Sequence, residues 1–153
     1  MACHQRIRSF GALALRIGGQ EELSATELAE GCQRVSRYFA EALPLHVQDE
    51  EDGLIPALRS QEPAIDRALE QMASEHLSHA PLLAALEQAL RETIASAGEP
   101  SARARIAAVA QELVPELERH LAQEEALIFP AIPRLLSAEA QGRLIVELRA
   151  RRR

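Results

Sequence analysis

The chain has 153 residues, 47% of them apolar and 26% charged: one folded, water-soluble domain, with neither the length for two ordinary domains nor the polarity of a disordered segment. A net charge of −6 argues against a nucleic-acid partner. No apolar run nears the roughly 18 residues of a membrane span, the opening MACHQRIRSF carries charge where an export signal needs apolar residues, and Cys3 and Cys32 alone make no disulfide framework, so a cytoplasmic protein with no membrane partner is expected.

Ala, Leu, Glu and Arg dominate, all favourable in helices, and no stretch alternates apolar and polar residues long enough for a strand. The chain therefore reads as all-α. A first helix is expected from about Ala2 to Ile17, stopped by Gly18 and Gly19. The second opens at Ser24, which forms a capping box with Glu27, and runs to about Arg59 with a kink or restart at Pro44. Pro63 suits the first turn of the third helix, which ends near Gly98. The fourth opens around Pro100 and Ser101 and reaches Pro130 or Pro133, with a second kink at Pro115. Ser137 caps a last helix that ends in Arg149, Arg151, Arg152 and Arg153, cations suited to a helix C-terminus. All seventeen basic residues are arginine, which fits a coding bias better than a device. The connections are too short to separate domains. The expectation is one domain over 1–153, an up-down-up-down four-helix bundle with a short C-terminal fifth helix.

The third helix carries Ile65, Leu69, Met72, His76, His79, Leu83, Leu86 and Leu90 at alternating steps of four and three, the seam of a helix facing a core. Leu113, Leu117, His120, Glu124 and Leu127 follow such a stripe on the fourth helix, and Val35, Phe39, Ala42, His46, Glu50 and Leu54 on the second. Each stripe turns polar at one level, where it carries histidine or glutamate. Bare carboxylates in a helical core cost several kcal/mol. A metal ion offsets that cost, because imidazole nitrogen and carboxylate oxygen are ligands of first-row metals. The i, i+4 spacing puts His46 with Glu50, and His120 with Glu124, on one helix face.

An internal repeat strengthens this reading. His46-x-x-x-Glu50-Glu51 is followed by Pro56, and His120-x-x-x-Glu124-Glu125 by Pro130, each proline ten residues after its histidine. His4 precedes His46 by 42 residues and His76 precedes His120 by 44. Two helix pairs related by an approximate two-fold axis would gather four histidines and two carboxylates at the bundle centre.

At ACHQRIRSF, YFAEALPLHVQDEEDGLIPAL, SEHLSHAPLLAAL and HLAQEEALIFPAIPRLL the sequence resembles the hemerythrin-like family of HHE cation-binding domains, over nearly the whole chain. The resemblance implies a four-helix bundle around a non-haem centre of two iron ions. It implies His4, His46, His76 and His120 as terminal ligands and Glu50 and Glu124 as bridges. The oxygen-carrying members have two histidines four apart on the third helix, whereas His76 and His79 are three apart. His79 stands open between a further ligand, a hydrogen-bonding neighbour of a ligand and a core residue, the first two together favoured. Two histidines and two shared carboxylates leave each metal coordination positions for an exogenous ligand, which favours iron over zinc or manganese.

The expected function is to bind dioxygen or a related small oxidant, nitric oxide or peroxide, for carriage, storage or sensing. The alternatives are an enzyme acting on peroxide or nitric oxide, and an iron storage or delivery protein. Whether the protein is an enzyme at all stays open, with binding favoured, as do a protein partner and a homo-oligomer. Glu51 and Glu125 read as solvated or ligand-supporting groups, Asp49 and Asp52 as surface charge, and Tyr38 as packing. Gly11 and Ala14 read as allowing close helix packing. Neither cysteine lies near a base in a nucleophile arrangement.

Overall fold

Ser24 starts the second helix as its spacing predicts: its hydroxyl accepts from the Glu27 N–H while the Glu27 carboxylate accepts from the Ser24 N–H. The computed structural model describes residues 2–19 and 22–151, so Arg152 and Arg153 of the basic tail lie outside the described residues. Among the described residues there is helix and turn and no strand, and the chain is all-α. No helix among them is long and apolar enough to cross a membrane.

The first helix, α1, is Ala2–Gly18. The second rod is interrupted twice without breaking. It runs through α2 (Ala25–Arg37), a π-helical turn π1 (Tyr38–Ala42), α3 (Leu43–Asp49), a second such turn π2 (Glu50–Leu54) and α4 (Ile55–Leu58). The long α5 is Pro63–Ala95. The fourth rod joins α6 (Pro100–Gln123), π3 (Glu124–Ile128) and α7 (Phe129–Leu135), and Ser137 caps α8 (Ala138–Ala150). Between α5 and α6, Gly98 takes φ +86, and its N–H bonds back to the Thr93 carbonyl at 2.9 Å, closing the helix end.

The prolines explain the wide turns. A proline inside a helix lacks an N–H and its ring presses on the carbonyl four residues back. Pro44, Pro56 and Pro130 each follow the first residue of a π-turn (Tyr38, Glu50 and Glu124) by six positions. Ahead of each, the backbone bond skips to the fifth residue back: Leu43 to Tyr38, Ile55 to Glu50, Phe129 to Glu124. The kink or restart expected at Pro44 is thus a register shift within a continuous rod. Pro115, the second kink expected, lies inside α6 on the exposed side, and the helix continues through it.

The wide turns also correct two seam positions. At π1 and π3 the added residue brings the core position one residue late, while Leu54 of π2 is buried where expected. Leu43 is buried where Ala42 was expected, and Ala42 is exposed. Ile128 is buried where Leu127 was expected, and Leu127 is exposed.

The helices group into two compact units: the described residues of Met1–Leu43 with Ser78–Glu118, and of Pro44–Leu77 with Arg119–Arg153. In the first, α1 packs on α2 around a core that includes Ile7, Ile17, Val35, Leu86, Leu90, Ile106 and Leu113. Gly18 lets α1 approach α6 closely, since a Cβ there would stand 2.4 Å from the Ala107 nitrogen. Arg103 closes the end of α1 by donating to the carbonyls of Ile17 and Gly19. Gly11 lies against Val114, the close packing expected of it. Tyr38 is buried, stacked on Phe10 at 4.1 Å between ring centroids, the packing role expected of it. Burial pushes the Cys32 thiol up to about 11, which leaves it a poor nucleophile.

The second unit has a core of Leu54, Ile55, Leu58, Ile65, Ala68, Leu69, Met72, Ile128, Ala131 and Leu144. The α5 seam supplies Ile65, Leu69 and Met72 as its spacing predicts. The two copies of the repeat meet here: α4 packs on α7, and α8 covers α7 and π2.

Candidate metal centre

Within this second unit α3 presents His46, and one turn on Glu50 opens π2. On the fourth rod His120 lies in the last turn of α6 and Glu124 opens π3. Each histidine lies against its own glutamate, Nε2 to Oε1, at 3.1 Å for His46 and Glu50 and 3.0 Å for His120 and Glu124. From α5, His76 brings its Nε2 to 3.2 Å from Glu50 Oε2 and 3.2 Å from His120 Nε2. Glu50 therefore turns one oxygen to each of two histidines. Glu50, His76 and His120 offer ligand atoms that all lie within 4.8 Å of one another. The two carboxylates are 3% and 1% exposed, so bulk water does not solvate them.

Two further carboxylates set the direction of the rings. Glu51 Oε1 lies 3.0 Å from His76 Nδ1, and Glu75 Oε2 lies 2.8 Å from His120 Nδ1. A carboxylate accepts, so where Glu51 and Glu75 take the Nδ1 hydrogens of neutral rings, each Nε2 is left with its lone pair. Both lone pairs thus point inward, toward each other and toward the oxygens of Glu50 and Glu124. Acceptors crowded this closely need a proton or a metal ion among them. An imidazole and carboxylate donor set suits a first-row metal ion, with each ring held from behind by a carboxylate.

The same surroundings split the two histidines electrostatically. Burial pushes His76 below its ordinary pKa, with Glu51 pulling only part of the way back. Burial also opposes the charged form of His120, but Glu124 and Glu75 together outweigh it and hold that ring above its ordinary value.

The structure brings together His46, Glu50, His76, His120 and Glu124 from the sequence pattern. His4 and His79 belong to the first unit, and both are buried. Asp49 is a correction: it was expected as surface charge, but it is buried and accepts from Arg151 Nη1 at 3.4 Å. Asp52 is exposed as expected. Glu51 is both partly exposed and bonded to His76, which decides its open assignment. Glu75 was missed altogether. It lies off the apolar stripe, and its only mark in the sequence is its place beside His76 in the run Ser74-Glu75-His76.

Glu75 is expected to govern affinity without being a ligand. Glu75→Ala should leave the number of bound metal ions unchanged and weaken binding about 10- to 100-fold, with Glu75→Gln, which still offers an acceptor, falling between. Competition between the protein and a chelator for Co²⁺ measures both quantities, and wild-type affinity in Glu75→Ala would remove this role.

The family model described as the hemerythrin HHE cation binding domain matches residues 1–132 of the chain, and again residues 79–151. Among curated proteins none matches.

Proposed function

Because this chain belongs to the hemerythrin HHE cation-binding domain family, we propose that it is a non-haem di-iron protein that binds dioxygen or a related small oxidant, nitric oxide or peroxide, for carriage, storage or sensing. The observation that carries this reading is the pair of imidazole nitrogens, His76 Nε2 and His120 Nε2, 3.2 Å apart with Glu50 and Glu124 beside them. The proposed ligands are His46, Glu50, His76, His120 and Glu124, joined by His4, with His79 as an additional donor. His4 rests on the repeat and on the family. Residues 1–132 fall under one family match, which supports treating 1–153 as a single domain.

Iron bound by these groups would supply one-electron redox steps and coordination positions that the protein leaves open. The chain's own groups do the rest. Glu50 and Glu124 bring negative charge into a buried site and offset the charge of the cations. Glu51 and Glu75 hold the Nδ1 hydrogens of His76 and His120, which fixes the tautomer and raises the basicity of the inward nitrogens. Leu69, Met72 and Ile128, in the core of the same unit, exclude bulk water. The proposed ligands are imidazole nitrogens and carboxylate oxygens, which favours iron over a closed, cysteine-rich zinc site.

Anaerobic reconstitution with ferrous iron tests the proposal. About two irons per chain are expected, with a visible absorption change on admitting dioxygen that reverses on evacuation. Immediate conversion to ferric protein with turnover of a reductant would replace binding by peroxide or nitric oxide chemistry. Labile iron beyond two per chain would replace it by storage.

A further inference from the structure

Asp49 closes α3 and immediately precedes Glu50, yet it points its charge at the far end of the chain. Its Oδ1 lies 3.4 Å from Arg151 Nη1, both side chains largely buried. Arg151 is the C-cap of α8, and α8 packs on π2, the turn that Glu50 opens. Leu144 of α8 shares a core with Leu54 of π2, and Leu148 packs against that core. Gly53, inside π2, makes this approach possible. A Cβ there would stand 3.2 Å from Leu144 Cδ1, 3.3 Å from Leu148 Cδ2 and 3.3 Å from Arg151 Nη1. Leu144, Leu148 and Arg151 are spaced i, i+4 and i+7, so a single face of α8 closes over this one turn.

A π-turn is rare and persists where its surroundings hold it. This one carries Glu50, which faces His46 and His76, and Glu51, which holds the far nitrogen of His76. We infer that α8 is a clamp on π2, with Asp49 and Arg151 as positioning residues that fix where Glu50 and Glu51 stand. The inference rests on the metal-centre reading above and adds a control to it. The clamp is one-sided. The residue that precedes Glu124 as Asp49 precedes Glu50 is Gln123, which carries no charge. Loosening α8 therefore weakens the Glu50 half of the centre more than the Glu124 half. Linkage makes the effect reciprocal: metal held at Glu50 must tighten α8 by the same factor that α8 tightens the metal.

Co²⁺ titration of the full chain, followed by its visible ligand-field bands, tests this together with amide hydrogen exchange. Arg151→Ala and Asp49→Asn should each weaken one of the two Co²⁺ equivalents by roughly five- to tenfold. The bands of that equivalent should change, while the helix content of the metal-free protein stays at the wild-type level. Arg151→Lys, which keeps the charge for a single contact, should recover most of the affinity. A Lys variant no better than the Ala variant would assign the effect to packing and overturn the positioning role. In the metal-free protein, exchange in residues 50–54 should be faster in Arg151→Ala than in wild type. Co²⁺ should slow exchange across α8 in wild type and much less in the variant. Wild-type binding of both equivalents together with unchanged exchange in residues 50–54 would overturn the clamp. Failure of the wild type to take up Co²⁺ would overturn the metal-centre reading instead, and exchange in the metal-free variants would still decide whether α8 holds π2.

Discussion

Ferrous iron, supplied anaerobically, is expected to raise the thermal midpoint of the protein by roughly 10 °C, and Glu124→Ala to abolish most of that rise. A ligand present at about a thousand times its dissociation constant adds about 4 kcal/mol to the folded state. Each kcal/mol moves the midpoint of a chain this long by about 2–4 °C. Glu124 is 1% exposed and lies 3.0 Å from His120 Nε2, so no water from bulk replaces its oxygen when the side chain is cut back. The comparison is made between metal-loaded and metal-free samples of the same variant, because removing Glu124 also takes a partner from His120. The calorimetric midpoint of each pair is the readout. A variant that keeps the full rise would show that Glu124 does not hold the metal.

Ile128→Ala is expected to destabilise the metal-free protein by about 3–4 kcal/mol, near the upper part of the range for cutting a buried isoleucine to alanine. Ile128 is 0% exposed and sits in the core of the second unit with Leu54, Leu58, Leu69 and Met72. A domain's whole stability is about 5–15 kcal/mol, so one such cavity removes a large share. Ile128→Val, which loses a single methylene, should cost about 1 kcal/mol. Urea unfolding measures both, with the midpoint falling and the slope unchanged. A loss below about 1 kcal/mol for Ile128→Ala would mean that the core closes over the gap. Because Ile128 ends the turn that Glu124 opens, the same variant should also bind metal more weakly.

Much of the site is written locally in the chain. Ser24 with Glu27, Ser137 and Gly98 mark helix ends through bonds made within a few residues. The α5 seam and the two His-x-x-x-Glu copies are periodic, and periodicity places side chains on a common face. What was not legible depends on tertiary structure. The π-turns change the period itself, so an even count of three and four put Ala42 and Leu127 in the core in place of Leu43 and Ile128. The prolines six residues after Tyr38, Glu50 and Glu124 were visible, but read as breaks or as marks of a repeat. Glu75 and Glu51 became meaningful once the rings of His76 and His120 had a direction, which depends on packing. Asp49 sits in an acidic run, Asp49-Glu50-Glu51-Asp52, that reads as solvated, and its partner Arg151 is 102 residues away.

Each wide turn holds one residue's worth of rotation. In a rod of uniform winding, the angle between two side chains follows from their separation alone. The second rod departs from that rule at Glu50–Leu54, and the fourth at Glu124–Ile128. Each rod can therefore aim a histidine and a glutamate inward ahead of the slip and choose a separate angular phase for the apolar residues beyond it. Polar and greasy stretches of one helix are thereby tuned independently, a freedom that deleting a single residue from either turn would cancel.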